Sequence, residues 1–168
     1  SRIGIDEEQY GDDGQSSFSV KQSRLGVKAT VPTAKGDINT KFEFDMFGVG
    51  DDAGQTTIRL RHAYGEFGQF LAGQTNSLFM DGDIFPNTVE YWGPTGMVFL
   101  RNPQIRWTPV KGANNFAVAI ENPSNDIDEG EFRQFAGFED GDLDIQGDQE
   151  SPDFTWQFRH NADWGHAQ

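Results

Sequence analysis

At 168 residues with a formal net charge of −14, the chain lacks the basic clusters that neutralise phosphates, which excludes nucleic acid as a partner. Hydrophobic residues make up only 35%, yet 15 Phe and 4 Trp are too many for a disordered acidic chain. There is no cysteine, hence no disulfide framework or thiol chemistry, and no run of about 18 apolar residues that would make a transmembrane helix. A membrane barrel is untouched by that last point, because its strands alternate and escape hydropathy windows.

Residues 1–16 are acidic and bear glycines, and read as loop. They carry no signal-peptide pattern, which suggests a processed chain or one that begins partway through a larger one. From Phe18 to Val31 the pattern is strand-like, but Phe18 and Val20 are out of phase with Leu25, Val27, Ala29 and Val31, which predicts a bulge near Lys21–Ser23. After a turn at 32–37, Ile38–Phe47 sets Phe42, Phe44 and Met46 against Lys41, Glu43 and Asp45.

The next strand sets Ile58, Leu60 and Tyr64 against Arg59 and Arg61, with His62 on the apolar side by parity. Gly65–Gly68 turns the chain back through Phe70 to Thr75. A long loop, 76–103, carries Asp81, Asp83, Glu90, Tyr91 and Trp92 before a strand over Gln104–Thr108. Asn115–Glu121 and Asp153–His160 follow as strands, separated by a long acidic loop at 122–152. The last residues start another turn.

The connections run short (32–37), medium (48–55), short (65–68), long (76–103), short (110–114), long (122–152) and short (161–165). Tight turns at one end and long loops at the other suit an outer-membrane barrel, whereas Greek-key sandwiches have no reason to keep that alternation. Apolar faces made of aromatics and aliphatics suit lipid. The opposite faces, with Arg24, Lys28, Lys41, Glu43, Asp45, Arg59, Arg61, Arg106 and Arg159, suit a water-filled lumen. Tyr64, Phe67, Trp107 and Trp164 stand near strand ends, where an interfacial girdle would want them.

Several short stretches then carry a family likeness: Gln22–Gly26, Leu60–Gly65, Leu71–Thr75, Phe79–Asp81, Gly93–Gly96, Asn102–Arg106, Glu121–Pro123 and Asp163–His166. In this order and spacing the chain resembles the DcaP-like porins of Gram-negative outer membranes, over roughly residues 17–168. The resemblance implies an all-β fold, an antiparallel transmembrane β-barrel of porin type with about 16 strands when complete. It also implies a homotrimer in the outer membrane, in contact with lipid and lipopolysaccharide, and passive diffusion of small hydrophilic solutes such as dicarboxylates. About seven strands cannot close such a barrel, because open edges in lipid leave backbone groups unpaired. The expectation is therefore a partial barrel over 17–168.

The expected mechanism is a constriction in which loop 76–103 folds inward. It would set Asp81, Asp83 and Glu90 against a wall of Arg24, Arg59, Arg61 and Arg106, making a transverse field that selects by charge and size. The same arginines could instead pair with Glu43 and Asp45 and only stiffen the wall. The Asp-rich runs fit no EF-hand spacing, so no metal or cofactor is expected. His62, His160 and His166 lack any catalytic motif; His62 and His160 are expected on outward faces. The alternative reading is a secreted or periplasmic all-β binding module that stacks a carbohydrate on Tyr91, Trp92 and Trp156.

Overall fold

The computed structural model describes residues 18–49, 57–84, 99–123 and 151–168. Its strands are β1 (Arg24–Thr33), β2 (Gly36–Asp45), β3 (Arg59–Phe67), β4 (Phe70–Asn76), β5 (Arg101–Val110), β6 (Asn114–Glu121), β7 (Asp153–Ala162) and β8 (Gly165–Ala167). Each pairs antiparallel with the next, so a single eight-stranded sheet runs in chain order from β1 to β8. It is one strand more than the sequence suggests, since the last residues form β8 after a turn at Asp163–Trp164. Among the described residues β1 and β8 each have one neighbour, so the sheet is a partial, unclosed barrel.

Two further boundaries differ from expectation. Ser23 N–H donates to Val20 O at 2.8 Å, so the phase change there is a turn ahead of β1 and not a bulge within it. β5 begins at Arg101, because Asn76 and Thr75 of β4 continue the ladder onto Arg101 and Asn102.

A bulge does occur, in β3. Glu43 pairs with His62 while Phe44 pairs with Leu60, which leaves Arg61 as the extra residue. A bulge of this kind reverses which parity faces inward. Arg59 and Arg61 therefore share the face of Asp45, and beyond the bulge His62 and Tyr64 join that same face. His62 is buried, with Nδ1 at 3.0 Å from Thr75 Oγ1, and Tyr64 packs edge-on to its ring. The expected outward positions of His62 and Tyr64 are thus corrected. No alternation rule applied to the sequence alone could have seen this, because the slip is set by the pairing partner.

The two faces of the sheet invert the usual order of a water-soluble domain. Phe154 is 69% exposed, Val27 68%, Trp156 66% and Ile105 65%, while Asp45 and Glu121 are 1% and 2% exposed. The apolar face is thus free and the charged face is covered where the loop crosses it, though not on β1, as lipid outside and protein or water inside require. The cover is the beginning of the long loop. Leu78 packs on Ala117 and Ala119 of β6, where two small side chains leave room for the loop to lie against the sheet. Near the short turns, Phe70 and Trp107 stack with ring centres 6.5 Å apart, and Trp164 is 71% exposed in the β7–β8 turn.

Candidate functional site

Residues 77–84 leave β4 and cross the inner face towards β6, β7 and β8. Backbone polar groups taken off a ladder must find other partners, and here inward-facing side chains supply them. Leu78 N–H donates to Glu121 Oε1 at 3.1 Å, and Thr155 Oγ1 donates to the same oxygen at 2.7 Å. Gln157 Nε2 donates to Leu78 O at 2.8 Å. At the next turn of the loop, Arg159 binds Asp81 at 3.3 Å and also pairs with Asp83. His166 Nε2 lies 2.6 Å from Asp81 Oδ2. Burial pushes the Asp81 carboxyl up, but the Asp83 N–H, His166 and Arg159 outweigh it and hold the group below its usual 3.8.

The second half of the site is a cluster of arginines on the opposite strands. Asp45 Oδ1 accepts from Arg59 Nε at 3.0 Å and from Phe47 N–H at 3.2 Å. Its Oδ2 accepts from Arg59 Nη2 at 2.7 Å and Arg61 Nη1 at 2.8 Å. Arg61 Nε also binds Glu43 at 3.0 Å, and Lys41 reaches Glu43 at 3.0 Å. Arg59 further lies over the Phe47 ring at 4.6 Å. Arg59 and Arg61 of β3 are therefore both engaged by the carboxylates of β2.

Between the halves lies a cavity of about 590 Å³. Arg24, Lys41, Glu43, Arg61, His62 and Asn76 line it from the wall, Met80, Gly82 and Asp83 from the loop, and Phe99 from the loop's return. Of the expected constriction residues, the structure thus brings Asp83 together with Arg24 and Arg61 around one space. Asp81 is turned to Arg159 and His166 instead of the arginine wall. Arg106 binds Gln104 Oε1 at 2.7 Å and Asn76 O at 2.6 Å and does not itself line the cavity. Lys28 lies beside Arg24 and Lys41 in a smaller groove between β1 and β2. Glu90, Tyr91 and Trp92 lie outside the described residues.

Sequence reasoning missed four participants. Glu121 and Gln157 hold the loop, and His166 takes part in the Asp81 pairing. Parity alone marks Glu121 and Gln157 as inward, but not as loop anchors. Arg101 was hidden because its residue fell in the predicted loop, where alternation gives no face. It lies close enough to Arg61, Arg59, Asp45 and Arg24 for their charges to act on it.

An antiparallel meander with an apolar outer face, a charged inner face and a loop laid across that inner face is the wall of an outer-membrane β-barrel. The model of the DcaP outer membrane protein family matches residues 3–162. The chain belongs to that family, and its place is the outer membrane. Among solved structures, the crystal structure of the outer membrane channel DcaP of Acinetobacter baumannii is similar to it, with a TM-score of 0.66 at 22% identity. The match covers 91% of this chain and 41% of that one, and at that identity it speaks for the fold. No curated protein matches. An outer-membrane family sets aside the secreted binding module, and Trp156, its described stacking residue, stands on the outer face between Phe154 and Phe158.

Proposed function

We propose that the chain forms part of the wall of a water-filled channel through which small hydrophilic solutes cross the outer membrane by passive diffusion. Organic anions, dicarboxylates among them, are the favoured solutes. In the complete barrel, of about 16 strands, the loop narrows the passage and the inner-face charges select what passes. The barrel works as a homotrimer seated in outer-membrane lipid and lipopolysaccharide.

The observation that carries this reading is the shared cavity: Asp83 of the loop faces a wall on which Arg24, Lys41 and Arg61 outnumber the one acid, Glu43. Opposite charges across a narrow aqueous gap make a transverse field that orients dipolar solutes. Arginine forks match carboxylates in two-point contact. The net charge of −14 favours cations at the mouth, but exposed charges more than about 10 Å from the narrowest point are screened at moderate salt. The local basic wall therefore sets the preference.

Conductance of the full-length protein in planar bilayers tests the reading. Discrete open levels with a reversal potential on the anion side in a KCl gradient are expected. Absence of conductance, or a cation-side potential, overturns it.

A further inference from the structure

The cations around the cavity are not equivalent. Asp45 stands directly opposite Arg24 in the β1–β2 register, yet its oxygens are filled by Arg59, Arg61 and the Phe47 N–H. Arg24 is left without an ion pair among the described residues while lining the cavity. Arg101 is also unmatched: its Nε and Nη2 are buried and have no hydrogen-bond partner among the described residues. Its guanidinium lies 4.4 Å from the centre of the Phe99 ring, and Phe99 lines the same cavity. A ring face compensates a cation only in part, and a buried charged donor without an acceptor is costly.

We propose that Arg24 and Arg101 form the anion-contacting subsite of the channel, where a small carboxylate is held in transit. Arg59 and Arg61 act as the frame that positions them. An entering carboxylate meets Arg24 at the open cavity, displaces the Phe99 ring and takes the unused N–H groups of Arg101. Arg61 and Arg59 occupy the Asp45 oxygens, so the unmatched donors stay available. The inference rests on the channel reading and adds to it the residues that touch the solute.

Succinate block of chloride current through the full-length barrel, reconstituted in planar bilayers, tests it. Arg24→Gln and Arg101→Gln are each expected to raise the half-blocking succinate concentration by about tenfold, the loss of one charge-assisted contact. Arg101→Lys keeps the charge without the fork and is expected to recover less than half of that loss on a logarithmic scale. Lys111→Gln removes one positive charge at a short turn, where Lys111 pairs with Glu66, and is expected to leave block unchanged. Resistance of the unheated barrel to SDS confirms folding. Should Arg101→Gln fail to fold, Arg24→Gln and Arg101→Lys decide the matter. Block equal to wild type in Arg24→Gln and in the folded Arg101 variants overturns the subsite. A wild-type barrel that is neither anion-selective nor blocked by succinate overturns the channel reading itself.

Discussion

The backbone N–H of Leu78 donates to the carboxylate of Glu121 at 3.1 Å, across 43 residues of sequence and with both residues buried. One end of this bond is the loop that leaves β4; the other is the last residue of β6. Thr155 on β7 donates to the same carboxylate oxygen. Glu121 thus ties the loop to two strands at once, at the point where the loop must stay down if it is to narrow a passage.

Replacing Glu121 with Ala leaves Leu78 N–H unpaired beneath the loop, a loss of roughly 2–3 kcal/mol for buried bonds to a charged acceptor. The expected outcome is a barrel that unfolds at lower temperature on heated SDS gels and shows a larger, noisier single-channel conductance. Glu121→Gln retains an acceptor and should fall between. Unchanged conductance together with lowered stability would assign Glu121 to the wall alone.

A second tie responds to acid. Asp81 sits below its usual 3.8 because Asp83 N–H, His166 and Arg159 outweigh its burial. A carboxyl depressed in the folded state adds stability that is full above about pH 4 and is lost as pH falls through the depressed value. Conductance is therefore expected to rise as pH is lowered below about 4, when the loop loses its hold on β7 and β8. Asp81→Asn should abolish that acid step, having already lost the charge. A step of undiminished size in Asp81→Asn would move the effect to another group.

Much of this architecture was legible in the sequence because lipid and lumen force a period of two on each strand. Phe42 against Glu43, and Phe154 against Thr155, fall on opposite faces as alternation requires. The family motifs also pointed to the right fold. What was not legible depended on partners far along the chain. Arg61 becomes an extra residue only because Glu43 pairs with His62, and this sends His62 and Tyr64 inward. Asp81 looked free to face the arginine wall, but His166, 85 residues on, is brought against it by the β7–β8 hairpin. Arg101 became visible only because Asn76 of β4 carries the ladder into the predicted loop.

Gly73 shows how tightly β3 and β4 approach. Its φ is +124°, and a Cβ there would lie 2.2 Å from Ala63 O and 2.7 Å from Tyr64 Cα. Both atoms are backbone or backbone-bound, so nothing flexible can yield. Gly73→Ala is expected to cost on the order of 3 kcal/mol or more, combining backbone strain with a displaced strand pair. Folding yield from urea, read as the SDS-resistant fraction, should fall well below wild type. Gly68→Ala, at a turn with φ +61° and open space around it, should cost about 1 kcal/mol. Equal effects at the two sites would refute the close approach.

Arg61 tests whether the framework around Asp45 carries stability, selectivity or both. Its side chain is 7% exposed and that of Asp45 1%. Removing one partner of a buried pair costs about 3–5 kcal/mol, because the other charge remains inside. Arg59 still binds Asp45 through two nitrogens, so Arg61→Ala belongs at the lower end of that range. Asp45→Asn in the same chain should recover part of the loss, and a double-mutant cycle measures how much. Without Arg61, Glu43, which lines the cavity, keeps Lys41 but loses the guanidinium that offsets its charge there. The reversal potential in a KCl gradient should then move towards the cation side in Arg61→Ala and move back when Glu43→Gln is added. A stability loss with no movement of the potential would make Arg61 purely structural, leaving selection to the cations that Asp45 does not hold.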